Sequence, residues 1–286
     1  MTSNIDLHMH TRASDGSDYP QELPDKLRAA GVQIFAVTDH DTVDGARAVA
    51  ALPLDGLTYF PGIEFSCESP AGRCHILGYG CDFDHPAFQG ALEEGRRLRA
   101  AKLALRLDYL RERFGIILTE AEDAWLRSRN SPGKLHFANI LMARGLADEP
   151  NEAIRRFFGP LKEENDCIQA GTAVRAILAS GGVPVWAHPL GGEGEPRLTR
   201  EGFEARMELL LAQGIRGMEC FYSRYDAGEI AFLRGQAALH SLLVSGGSDY
   251  HGVNKIGIDP GQLSADGTAP EKGALTLLAA LGTGCD

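Results

Sequence analysis

A chain of 286 residues, 44% hydrophobic and 23% charged, has the make-up of a globular protein with a full core. No apolar run reaches the ~20 residues that a membrane helix needs and no export signal opens the chain, so the expectation is a cytoplasmic protein that does not enter a membrane. A net charge of −11 excludes a broad basic surface for coating nucleic acid, and six cysteines without paired CxxC spacing are expected as free thiols.

The first fifteen residues are the densest stretch. Ile5, Leu7 and Met9 alternate with Asp6, His8 and His10, so an extended segment puts the last three on one face, and Asp15 follows shortly after. A helix is predicted over Pro20 to Ala30, stopped by Gly31. The apolar runs at 34–37 and 57–60 read as doubly buried strands. They lead into Thr38-Asp39-His40-Asp41-Thr42 and Gly62-Ile63-Glu64-Phe65-Ser66, and His75-Ile76-Leu77-Gly78-Tyr79 follows.

From residue 87 the pattern changes to helix alone: one long segment to Arg113, then stretches around 120–127, 132–144 and 151–158. Residues 86–165 carry 14 Lys or Arg against 12 Asp or Glu, so the excess acid lies outside them. Strand and helix alternation resumes with a helix at 172–180 and strands at 183–186, 217–221 and 242–245. These strands lead to Ala187-His188-Pro189, to Glu219 and Tyr222, and to Ser248-Asp249-Tyr250-His251.

Seven strands read as parallel and alternating with helices predict an α/β fold, a distorted (β/α)₇ barrel with a helical insertion domain. The expected boundaries are 1–86 and 166–286 for the barrel and 87–165 for the insertion. No Gly-x-Gly-x-x-Gly turn follows a strand, which removes the support for a dinucleotide fold.

Most of the nine histidines sit at these strand ends, leaving His85, His136 and His240 apart. The candidate ligands are His8, His10, Asp15, His40, Glu64, His75, His188, Asp249 and His251. Imidazoles and carboxylates without thiolates suit hard divalent metals, and nine side chains suffice for two or three ions. Glu64, at the end of a central strand, is the natural bridging carboxylate. Cations for an anionic substrate are expected from Arg99 and Lys102, one helical turn apart, and from Lys134 and His136 in a helix start capped by Ser131 with Pro132 in its first turn. Arg224, just past a strand, is a further candidate.

Together these strand-end segments resemble the four-motif signature of the PHP (polymerase and histidinol phosphatase) family, related to the amidohydrolases. Within it the chain is similar to stand-alone members with a helical insert, among them a 3′,5′-nucleoside bisphosphate phosphatase and a 5′-3′ exoribonuclease. The resemblance implies a distorted (β/α)₇ barrel holding up to three metals. His8, His10, Glu64 and Asp249 would hold the first, Glu64, His75 and His188 the second, and Asp15, His40 and His251 the third. Mn²⁺ is the expected ion, with Mg²⁺, Fe²⁺ and Zn²⁺ as alternatives.

The implied reaction is in-line attack on phosphorus by a hydroxide shared between metals, with Glu64, Asp249 and His188 as catalytic residues. The expected activity removes the 3′-phosphate of a 3′,5′-nucleoside bisphosphate such as phosphoadenosine phosphate. The rival readings are a 5′-3′ exonuclease on short 5′-phosphorylated RNA or DNA, a histidinol-phosphate phosphatase and a non-catalytic, metal-stabilised module. No stable protein partner is implied.

Overall fold

Short runs such as Ile34-Phe35-Ala36-Val37, buried along nearly their whole length, form strands, and the intervening helices end where their sequences stop them. Gly31, at φ +79°, turns its N–H back onto the carbonyl of Arg28, a left-handed stop that a side chain would strain. The computed structural model describes residues 3–128, 132–163, 167–192, 197–271 and 273–282. In chain order it contains β1 (Ile5–Asp6), α1 (Leu23–Ala30), β2 (Ile34–Val37), α2 (Asp44–Ala50), β3 (Thr58–Glu68), β4 (Cys74–Tyr79) and α3 (Pro86–Phe114). Next come α4 (Glu120–Arg127), α5 (Lys134–Ala143), α6 (Pro150–Phe158), β5 (Ile168–Gln169), α7 (Ala170–Ala179) and β6 (Val183–Trp186). Then follow α8 (Arg200–Gln213), β7 (Gly217–Tyr222), α9 (Ala227–Leu239), β8 (Leu243–Gly247) and α10 (Leu277–Ala280). No helix among the described residues is long and apolar enough to cross a membrane.

The chain divides into two compact units, Met1–Leu92 with Ile168–Asp286, and Glu93–Cys167. In the first, the strands follow the order β1-β2-β3-β4-β6-β7-β8, with β5 added beside β3. The ring is closed by backbone pairing beyond the strands proper. Leu7 N–H donates to Gly246 O, Asp249 N–H to His8 O and His10 N–H to Tyr250 O, at 3.2, 2.8 and 2.8 Å. Gly247 permits this seam, because a Cβ there would lie 2.2 Å from that of His8.

One expectation of the sequence is corrected. The strands are not all parallel: β4 runs antiparallel to both β3 and β6. A tight turn over Ser69–Gly72, with Gly72 at φ +96°, folds β4 straight back from β3 and leaves no room for a crossover helix. The reversal has a functional result. His75, near the start of β4, reaches the same end of the barrel as the residues at and just beyond the ends of the parallel strands.

The second unit packs α3 to α6 around Leu103, Leu110, Leu126, Phe137, Leu141 and Phe158. Inside it, Arg106 forms a bidentate pair with Glu163, at 2.5 Å from Nε and 3.1 Å from Nη2, and donates from Nη1 to Pro132 O. Helix α5 starts later than its sequence suggests. Its N-cap is Gly133, and the ring of His136 accepts the Gly133 N–H at 3.1 Å, so Pro132 precedes the helix rather than opening it. Ser131, expected as the cap, lies outside the described residues.

Candidate metal centre

All nine side chains expected to ligate metal meet at one end of the barrel. His8 Nε2 and His10 Nε2 lie 3.1 and 3.2 Å from Glu64 Oε2, and 3.6 and 3.3 Å from Asp249 Oδ1. Glu64 turns its other oxygen to His75 Nδ1 and His188 Nε2, at 2.9 and 3.1 Å. Those two nitrogens are 3.3 Å apart. Asp15 faces His251 Nε2 at 3.2 Å, His10 Nδ1 at 3.5 Å and His40 Nε2 at 3.9 Å. Three groups with a cation's spacing result: His8, His10, Glu64 and Asp249; His10, Asp15, His40 and His251; and His40, Glu64 and His75. His40 thus also faces Glu64, at 3.2 Å from Oε2.

Protons alone satisfy this arrangement poorly. His8 Nε2 and His10 Nε2 face each other at 3.1 Å, and only one of two such atoms can donate to the other. His251 Nε2 is buried and faces Asp15 Oδ1 at 3.2 Å without a well-formed hydrogen bond. A nitrogen and oxygen set with so many acceptor lone pairs aimed inward fits divalent cations.

The charges respond strongly to one another. Burial alone would push Glu64 and Asp249 up. The imidazoles His40, His8 and His75 outweigh it at Glu64, and Lys255, His251 and His8 at Asp249, so both carboxyls are held well below the usual range. Asp15 is held low in the same way by His40 and His251. At His10 burial opposes the charged form, yet Asp249 and Glu64 raise it to about 9, whereas burial wins at His40 and drives it to about 3.

A second layer of side chains orients these donors, and most of it escaped the sequence reading. Glu219, inside β7, accepts from His8 Nδ1 at 2.9 Å, which fixes the tautomer that leaves His8 Nε2 free to ligate. Its other oxygen accepts the backbone N–H of His188 at 2.8 Å. Asp249 gives Oδ2 to Lys255 Nζ at 2.6 Å and to Tyr222 OH at 3.0 Å, which leaves Oδ1 toward the imidazoles. His251 Nδ1 donates to Asp249 O at 2.8 Å and so aims Nε2 inward. Asp6, expected on the ligand face, instead accepts from Ser248 N, Ser248 Oγ and Gly261 N, and burial raises its carboxyl to about 6. Asp39 accepts from Thr11 and Ser14 and pins the loop that carries Asp15. Asp41, His188 and Asp249 have φ of 54°, 26° and 58°, strain concentrated at the ends of β2, β6 and β8.

Three of the expected substrate groups are engaged by the protein itself. Lys134 Nζ pairs with Glu163 at 3.1 Å, and His136 serves the start of α5 while its ring lies 5.7 Å from that of Trp125. Arg224 donates to Ile256 O at 3.0 Å. Arg99 and Lys102 both lie on α3.

A closed, mixed-direction barrel that gathers imidazoles and carboxylates at one end defines a metal-dependent hydrolase of the amidohydrolase type. No family model matches the chain. It is 30% identical over 267 residues to a 3′,5′-nucleoside bisphosphate phosphatase of Chromobacterium violaceum, covering 91% of each chain. A 5′-3′ exoribonuclease of Haemophilus influenzae is 29% identical, with 88% of this chain and 91% of that one covered. Among solved structures, an amidohydrolase from Chromobacterium violaceum holding sulfate and no metal superposes with a TM-score of 0.74 at 28% identity, over 91% of this chain and 90% of that one. The chain belongs to the PHP family of metal-dependent phosphoesterases.

Proposed function

We propose that the chain is a Mn²⁺-dependent phosphomonoesterase that removes the 3′-phosphate of 3′,5′-nucleoside bisphosphates. The observation that carries this reading is the convergence of nine nitrogen and oxygen donors in a chain alike, over nine-tenths of its length, to a phosphatase of that name. In this reading His8, His10, Glu64 and Asp249 hold one ion, Glu64, His75 and His188 a second, and Asp15, His40 and His251 a third. Bound there, divalent cations neutralise phosphoryl oxygens and lower the pKa of water, the two requirements of in-line displacement at phosphorus.

The protein's own part is preorganisation. Glu64 divides its two oxygens between two sets of imidazoles and so fixes the spacing of the sets. Glu219 sets the His8 tautomer and anchors the His188 turn, while Lys255 and Tyr222 hold Asp249 to one inward oxygen. In the same reading Glu64, Asp249 and His188 are the catalytic residues. The insertion, residues 87–165, acts as a substrate cap whose cations Arg99, Lys102 and Lys134, with His136, bind the phosphate that is not cleaved, and Arg224 is the barrel's contribution. The pairing of Lys134 with Glu163 means that a phosphate there displaces a carboxylate.

A second reading, 5′-3′ hydrolysis of short 5′-phosphorylated oligonucleotides at the same centre, is supported by the likeness to the exoribonuclease. The test is a panel of mononucleotides, bisphosphates and 5′-phosphorylated oligonucleotides with added Mn²⁺, scored for phosphate and nucleotide release. Orthophosphate from 3′,5′-bisphosphates at the highest kcat/KM is the expected result. Mononucleotide release from oligonucleotides with inert bisphosphates would replace the first reading with the second.

A further inference from the structure

In the barrel unit, a cavity of about 130 Å³ adjoins the His75 and His188 side of the centre, and Arg73 and Arg206 also line it. We propose that this cavity is an orthophosphate subsite, where the phosphoryl group released at the metal centre is held by Arg206 and Arg73. The inference rests on the phosphomonoesterase reading. In that reaction the P–O3′ bond breaks, a P–O bond to water forms and the 3′ oxygen takes a proton from water, so each turnover leaves one orthophosphate beside His75 and His188.

Three observations favour this occupant. The cavity has room for a tetrahedral oxyanion with waters beside it, a single water occupying roughly 10–15 Å³ of such space. Its lining includes two guanidiniums, the preferred partners of phosphate, and Glu68 Oε1 lies 3.6 Å from Arg73 Nη2. Finally, Arg206 Nη2 donates to Ala71 O at 2.9 Å and so grips the turn from which Arg73 enters β4. Close approach is built in at Gly72, where a Cβ would come within 2.8 Å of Arg206 Nη2.

The test is calorimetric titration of the Mn²⁺-loaded and metal-free protein with inorganic phosphate, alongside inhibition of turnover by the same anion. Arg206→Gln is expected to weaken orthophosphate about ten- to a hundredfold, the loss of one charge-assisted contact, with bound metal unchanged. Arg73→Gln is expected to do less, because Glu68 already shares its charge, and Arg206→Lys to restore part of the loss. Affinity for a nucleoside 5′-monophosphate, measured in parallel, should not move. Wild-type orthophosphate affinity in folded, metal-filled Arg206→Gln and Arg73→Gln overturns the proposal. So does a loss confined to the 5′-monophosphate, which would make the cavity a reader of the uncleaved phosphate. Should Arg206→Gln fail to fold, Arg206→Lys and Arg73→Gln carry the same test. Titration needs no substrate, so a protein that binds orthophosphate through Arg206 yet cleaves no bisphosphate would overturn the substrate reading and leave the subsite standing.

Discussion

Both units bury ionisable groups, and they settle the charge in opposite ways. In the helical unit Arg106 and Glu163 meet in a bidentate fork with Lys134 alongside, cation against anion, and nothing further is required. At the barrel end imidazoles and carboxylates face one another with nitrogen against nitrogen, as at His8 and His10, and His251 Nε2 meets Asp15 without a well-formed hydrogen bond. A buried cluster that closes on itself supports the fold. One whose nitrogen and oxygen donors converge within a cation's spacing is organised around a ligand.

The largest expected break in this contrast is Glu64→Ala, which removes the carboxylate common to two of the groups. Turnover should fall on the order of a thousandfold or more, at least as far as for any single histidine change, because metal Lewis acidity supplies several kcal/mol. Steady-state rates on a 3′,5′-bisphosphate check this, and near wild-type rates would remove Glu64 from the centre.

Arg106→Met should do the reverse, costing about 1.5–3 kcal/mol of stability, since Glu163 keeps only Lys134 as a partner, while leaving bound metal and the barrel's chemistry in place. Urea unfolding with elemental analysis separates the two effects. The same pair makes a pH prediction. Burial pushes the Glu163 carboxyl up, but Arg106 and Lys134 hold it below its ordinary 4.5. Its stabilising contribution is therefore complete above that value and lost as pH falls through the depressed one, and Arg106→Met should flatten this acid limb.

A subtler change sharpens the contrast within the barrel. Glu219→Gln touches no proposed ion, yet it weakens the hold on the His8 tautomer, and about a ten- to a hundredfold loss in metal affinity is expected. Competition with a chelator reads this directly, and unaltered affinity would make Glu219 a packing residue. The smallest expected effect is at Lys134. Lys134→Ala should weaken a 3′,5′-bisphosphate more than a 3′-monophosphate, by about tenfold in kcat/KM because Glu163 already competes for the charge. Equal losses on the two substrates would detach Lys134 from phosphate recognition.

The donors themselves were legible in the sequence because imidazoles and carboxylates recur where apolar runs end, as in His8-Met9-His10 and Ser248-Asp249-Tyr250-His251. The direction of β4 was not, since a strand buried on both faces reads alike in either sense and only the short turn at Ser69–Gly72 decides it. Strand β5 spans two residues and has no periodicity to detect. The supporting groups were hidden for another reason. Glu219 was visible as an acid in an apolar strand, but its partner His8 comes from the opposite end of the chain. Lys255 sits in a loop with no pattern at all, and Lys134 looked available because Glu163 meets it only through the fold.

The most direct measurement of the central claim is metal content against activity. Purified protein assayed on a 3′,5′-bisphosphate should carry two or three divalent ions per chain, lose activity as a chelator strips them and regain it with Mn²⁺. Full turnover by protein shown to be metal-free by elemental analysis would contradict the account.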